Sequence, residues 1–162
     1  MKTRKATIGD IQQITSLLLE CKESQLNFKG NRPLGGLKKT AADLIEKSVQ
    51  KDFKDGEVAY FVAYNESKSI GVLRASIRHM EKYINDKVGQ LDSLFVSCEK
   101  RNMGVARSLV DNALQWFKQK SIHTVRAKVL SDNHIAQKAW ESYGFTDIIH
   151  EKFLDLTGGY DE

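Results

Sequence analysis

A single glycine, Gly104, stands where a strand-like run hands over to a helical one, and this junction restricts the possible folds more than any other feature. Upstream, Leu91, Leu94, Phe95 and Val96 form a short apolar run of strand-favouring types. Downstream, Val105, Leu109, Val110, Ala113, Trp116 and Phe117 recur at helical spacing. A strand, a short polar turn and an amphipathic helix together make an anion cradle. The first N–H groups of a helix lack partners and carry the positive end of its dipole, so a phosphate docks there. Gly104 lets the main chain approach a ligand without a Cβ in between, and Arg101 adds a charged fork.

Two familiar phosphate loops are excluded. A P-loop needs Gly-Lys followed by Ser or Thr, whereas Val105 and Ala106 follow Gly104. A dinucleotide fingerprint needs three glycines at fixed offsets, and the turn holds one. A second junction follows. The strand-like run 124–130 leads through Ser131, Asp132 and Asn133 into a helical pattern of Ile135, Ala136, Ala139, Trp140 and Tyr143, which stops at Gly144-Phe145. Asn133 or Asp132 suits an N-cap, and Gly144 a C-terminal stop.

Together these junctions resemble the GNAT superfamily of N-acetyltransferases. Arg101-Asn102-Met103-Gly104-Val105-Ala106 is similar to its Arg/Gln-x-x-Gly-x-Gly/Ala signature. Asn133, Ala136, Trp140, Gly144 and Phe145 resemble its later Asn-x-x-Ala-x-x-x-Tyr-x-x-x-Gly-Phe segment, with Trp140 in place of Tyr. The resemblance covers nearly the whole chain, so one domain over 1–162 is expected. It implies an α+β fold, a mixed and mostly antiparallel sheet with splayed strands, flanked by helices.

The coarse element order agrees: β-α-α-β-β-β-α-β-α-β. Strands are expected over 2–6, 58–64, 69–78, 87–96 and 124–130. Helices begin after Thr7, whose partner Asp10 suggests a capping box, and over 40–51. Residues 65–68 read as a hairpin turn, and residues 24–39 as a polar loop. The stretch 145–156 is short for two final strands and predicts one bent strand or a tight pair.

Composition narrows the function classes. A chain of 162 residues with 41% hydrophobic and 28% charged residues reads as globular. No apolar run reaches the length of a membrane span, and the basic start lacks a signal-peptide core. Cys21 and Cys98 make no disulfide framework, so a cytoplasmic location and no membrane partner are expected. The four histidines show no metal-ligand spacing, and no metal is expected. A net charge of +4 raises nucleic acid as a rival partner, but the basic residues are dispersed and no reading helix or aromatic platform is evident.

The resemblance implies acetyl-coenzyme A as cosubstrate. Its pyrophosphate would sit on residues 101–106 and its pantetheine arm along Leu94, Phe95 and Val96, with Asn133 and Trp140 on the cofactor side. Arg107 and Lys138 lie on that side too. A backbone N–H near Phe95 or Val96 would polarise the thioester oxygen. A primary amine of a small molecule or peptide would attack directly, so positioning does most of the work. Asp92 is the candidate base, unless it is a carboxylate on a solvated strand face. For the acid, Trp140 does not ionise usefully, which leaves Tyr143 or a packed tyrosine with no such role. Cys98 as an acyl carrier lacks a nearby His. A non-catalytic acyl-CoA sensor of the same fold is the alternative, and family habit suggests a homodimer.

The acceptor is less constrained. Lys29, Arg32, Lys38 and Lys39 lie in the 24–39 loop without a carboxylate, which disfavours a polycation and tolerates an amine bearing an acidic group. Glu20 and Glu23, one helical turn apart, would instead grip a cation.

Overall fold

The computed structural model describes residues 1–152 and 154, except the side chains of residues 32 and 33. Among the described residues five strands form one sheet in the order β1-β2-β3-β4-β5: β1 Lys2–Lys5, β2 Val58–Asn65, β3 Lys68–His79, β4 Lys87–Val96 and β5 Val125–Ala127. Neighbours run antiparallel except β4 and β5, which are parallel. Helices α1 (Ile11–Gln25) and α2 (Ala41–Asp52) precede β2; α3 (Val105–Gln119) and α4 (His134–Ser142) flank β5.

Period-two alternation sorts the sheet into two faces. Ala59, Ala75 and Leu91 stand opposite one another and join α3 residues Leu109, Val110, Ala113 and Phe117 in one core. Tyr60, Val62 and Val72 point the other way, onto Ile14, Leu17, Leu18 and Cys21 of α1 and Val49 of α2. The periodicities seen in sequence are thus the two halves of one sandwich. Thr7 and Asp10 form the expected capping box, on a 3-10 turn over Ile8–Asp10 that leads into α1. The Thr7 N–H donates to Asp10 Oδ2 at 2.7 Å, and Arg4 of β1 forks the same carboxylate at 2.7 and 2.8 Å. Asp10 is held down to a pKa of about 2, chiefly by the Arg4 hydrogen bond.

Three expectations need correction. The sheet ends on a shorter β5 than the 124–130 run predicted, because pairing with β4 stops at Leu91–Ala127. Residues 145–152 form no strand; the rest of the expected 145–156 element, residues 153, 155 and 156, lies outside the described residues. The 24–39 loop is partly ordered, with a 3-10 turn over Lys29–Leu34.

Helix α3 closes tightly on β4. A Cβ built on Gly89 would meet Phe117 Cε1 at 2.8 Å, and Phe117 is itself 1% exposed. The ring has nowhere to retreat. Gly89→Ala is expected to cost about 1–3 kcal/mol by overpacking, read as a lower urea midpoint at unchanged slope. A stability equal to that of the unsubstituted chain would show that α3 sits further from β4 than this contact indicates.

Candidate active site

The site begins where two strands part. Parallel pairing joins Gly89, Gln90 and Leu91 to Val125, Arg126 and Ala127 and then stops, while β4 runs on to Val96. Beyond Leu91 one edge of β4 has no strand beside it among the described residues. A bulge falls at the same place. Arg74 pairs with Asp92 and Val72 with Phe95, so Ser93 and Leu94 together face Leu73 alone. Ser93 takes a left-handed φ of 55° to make this possible. The bulge reverses the alternation. Phe95 therefore faces the α1/α2 core, while Leu94 and Val96 face the α3 core.

Main-chain donors follow from that register. The Ser97 N–H donates to Ile70 O on β3 at 2.9 Å. Hydrogen-bonded and non-bonded pairs alternate in an antiparallel ladder, so Phe95 also turns its N–H toward β3. Leu94 and Val96 turn theirs into the opening. Of the two donors expected near the end of this strand, the register leaves Val96, joined by Leu94, and removes Phe95.

The cradle stands at the mouth of the opening. Gly104 is the N-cap of α3 at φ 74°, and no side chain caps the helix there. Its first intrahelical bond is Ser108 N–H to Gly104 O at 3.0 Å, so the N–H groups of Val105, Ala106 and Arg107 have no helical partner. A Cβ at Gly104 would meet nothing within 4 Å. Asn102 shares the left-handed conformation, φ 60°, and Asn102 and Met103 are exposed. The cradle is open and uncapped, and it fits a diphosphate. Arg101 departs from the free fork expected of it. Its Nε donates to Val96 O at 3.1 Å and its guanidinium lies 5.9 Å from the Phe95 ring centre, so it braces the strand end.

On the α1/α2 face, Asp92 belongs to a charged row. Arg74 Nη1 donates to Asp92 Oδ2 at 3.2 Å; its Nε and Nη2 fork Asp52, at the end of α2, at 2.8 and 3.1 Å. Tyr60 Oη donates to Asp52 Oδ2 at 2.6 Å. Burial works against the Asp52 charge, but the hydrogen bonds from Arg74 and Tyr60 outweigh it and hold the carboxyl below its ordinary range. Burial and the Asp52 hydrogen bond both push the Tyr60 phenol up. Asp92 is half-buried, not a freely solvated strand carboxylate, and Oδ1 has no protein partner among the described residues. Arg74, inside the apolar run 70–77, was the sequence signal for this cluster. Asp52 and Tyr60 carried none, since only the packing of α2 on the sheet brings them in.

The later helix is placed differently from expectation. Asn133 Oδ1 accepts from Ala136 N–H at 3.1 Å, the ordinary cap arrangement. Trp140 is 8% exposed and packs edge-on against Tyr143 and Phe145, with ring centres 5.9 and 4.9 Å away. It is a core residue here, not a group offered to the strand opening. Tyr143 lies under the Arg107 guanidinium at 5.4 Å, and burial raises its phenol pKa. Both rings line a cleft of about 480 Å³ between β5, α3 and the end of α4, whose walls include none of residues 92–106. Tyr143 makes no hydrogen bond to Asp92 among the described residues. Cys98 is exposed and Cys21 buried, with burial raising the Cys21 thiol. Glu20 and Glu23 lie on the exposed side of α1. Among the described residues no group of three metal-ligating side chains converges, and no helix is long and apolar enough to cross a membrane.

A mixed sheet whose parallel pair parts beside an uncapped helix start defines an acyl-CoA-transferase type of fold. Residues 12–145 match the family model "Acetyltransferase (GNAT) family". The chain belongs to that family. Aminoglycoside N(6')-acetyltransferase type 1 of Salmonella typhimurium is 31% identical over 94 residues, covering 56% of this chain and 63% of that protein. The enzyme of that name from Acinetobacter haemolyticus is 33% identical over 90 residues, covering 53% and 61%. The matched region thus spans less than two thirds of these relatives. The solved structure of AAC(6')-Iy with the bisubstrate analog CoA-S-monomethyl-acetylneamine shares the fold at TM-score 0.74 and 23% identity, covering 95% of this chain and 96% of that one. A tetramutant protein from Bacillus halodurans does so at TM-score 0.82 and 17% identity, covering 96% and 100%.

Arg74→Met would leave Asp52 and Asp92 without their shared cation. The expected loss is about 2–4 kcal/mol near neutral pH, since removing one partner strands a half-buried charge. Asp52 is depressed in the folded state, so its contribution is present above the ordinary carboxylate range and lost as pH falls through its folded value. The gap between variant and parent should therefore narrow in acid, by denaturant titration. A gap independent of pH would assign the loss to packing.

Proposed function

We propose that the protein transfers an acetyl group from acetyl-coenzyme A to a primary amine of a small molecule by direct attack. The observation that carries this reading is the uncapped, Gly104-led start of α3 beside the unpaired edge of β4. Bound acetyl-coenzyme A would supply an activated thioester carbonyl. The N–H groups of Val105, Ala106 and Arg107 hold the diphosphate, aided by the helix dipole. Leu94 and Val96 present main-chain N–H groups where negative charge develops on the carbonyl oxygen.

The remaining proton task falls to Asp92. Its Oδ2 is held by Arg74, and Oδ1, without a protein partner among the described residues, receives the proton that the attacking amine gives up, directly or through a water. The bond that forms is N–C, the bond that breaks is C–S, and the thiol leaves as a thiolate. Neither Trp140 nor Tyr143 stands at the opening, so the leaving group departs without a dedicated acid. That same observation favours the second reading, a sensor that binds acyl-coenzyme A without turnover.

Gly104→Asp should raise the calorimetric Kd for coenzyme A about 100-fold or more, because a carboxylate would enter the cradle beside the diphosphate. Retained affinity would remove the cradle as the binding site. Asp92→Asn should lower turnover about 100-fold, measured as free-thiol release, while the coenzyme A Kd stays within about twofold. Equal turnover would exclude Asp92 as the base. Tight coenzyme A binding with no thiol release from any amine would select the sensor.

A further inference from the structure

One strand row away from Asp92, three polar residues stand side by side on the same face. Ser76 of β3 pairs with Gln90 of β4, and Gln90 with Arg126 of β5. Arg74 and Asp92 form the adjacent row, two residues along each strand, so the rows are about 7 Å apart. Ser76 is 4% and Gln90 8% exposed. Yet Ser76 Oγ and Arg126 Nε are buried without a hydrogen-bond partner among the described residues. Gln90 uses one N–H on Leu91 O. Among the described residues, Arg126 has no carboxylate beside it.

Buried donors left unpaired are costly, and a half-buried guanidinium without a counter-charge more so. Such a row asks for an acceptor atom, and Arg126 asks for a negative one. The surroundings carry the same sign. The Lys29 N–H donates to Asp132 Oδ2 at 2.8 Å, and Gly30 lies against Leu130, so the basic 24–39 loop is docked on the segment that follows β5. Lys128 is exposed between them. Asp132 and Asp92 each accept one protein donor through Oδ2, and Asp132 Oδ1 is buried without a partner among the described residues.

We propose that Ser76, Gln90 and Arg126 form a second acceptor subsite that holds a carboxylate about 7 Å from the amine being acetylated. The inference rests on the reading of Asp92 as the base, and it names the acceptor class: an amine carrying a distal carboxylate. The guanidinium forks the carboxylate through its two Nη groups, and Ser76 and Gln90 continue the polar row beside it. A polycation would set an ammonium against Arg126 instead. The acceptor therefore differs in charge from the substrates that the names of the relatives indicate.

Three matched probes test this: 5-aminopentanoate, 5-aminopentan-1-ol and pentane-1,5-diamine, which differ only in the group opposite the amine. Free-thiol release should favour the carboxylate over the alcohol by about tenfold in kcat/KM, with the diamine poorest. Arg126→Gln should erase most of that ratio through KM, Arg126→Lys should retain part of it, and Ser76→Ala should reduce it less. Preference for the alcohol or diamine, or a ratio that Arg126→Gln leaves intact, overturns the subsite. Calorimetry of 5-aminopentanoate with coenzyme A-loaded protein gives an answer even without turnover. Binding weakened about tenfold by Arg126→Gln supports the subsite though catalysis fails, and no binding to the parent chain overturns it. Absence of coenzyme A binding would instead sink the transferase reading.

Discussion

The parting of β4 from β5 after Leu91 is the constraint on which the site depends. Parallel strands normally satisfy each other along their length, and an unpaired stretch of β4 exposes main-chain groups that must find other partners. The fold holds this stretch from its other edge. Antiparallel pairing with β3 continues to Gly71–Val96, beyond the point where β5 has left. Arg101 then holds the last carbonyl of the free edge. By the ladder's alternation the Leu94 and Val96 N–H groups turn into the wedge, where no strand pairs with them among the described residues, beside an uncapped helix start. Each is a local cost, and together they form a continuous donor surface.

The bulge at Ser93–Leu94 makes that surface useful. Without it, alternation from Asp92 would turn Leu94 toward α1 and Phe95 toward α3. With it, Asp92 and Phe95 both face α1 and α2, while Leu94 and Val96 close against α3. The α1/α2 face keeps a carboxylate at the very level where the strand edge becomes free. A left-handed φ of 55° at Ser93 is the local strain that sets this geometry.

The junction at Gly104 was legible in sequence because its physics is local: a helix period, a strand run and one residue that tolerates positive φ. Strand and helix order were legible for the same reason, and the hairpin turn at Glu66-Ser67 fell where expected. What escaped was set by tertiary contact. The bulge leaves no mark in the composition of Asp92-Ser93-Leu94-Phe95, so sequence alone left the donor open between Phe95 and Val96. Trp140 occupies a position where the resemblance suggested a cofactor contact, but its size carries it into the core beside Phe145. The short β5 reflects where pairing stops, which no propensity of residues 124–130 encodes.

Charge ties these features to one another. Arg74 reaches both Asp52 and Asp92, giving that row a single net negative charge, while Arg126 in the next row has no such partner among the described residues. A cation matched by two carboxylates beside a cation matched by none is an uneven distribution on one sheet face. In a core built only for stability the second guanidinium would be replaced by an apolar side chain or given a counter-ion, because desolvation without pairing is unfavourable. Its retention next to the unpartnered Ser76 hydroxyl makes sense if the missing charge arrives with a ligand. The wedge then orients an acceptor by both ends: the amine beside Asp92, and the opposite charge one row further from the opening.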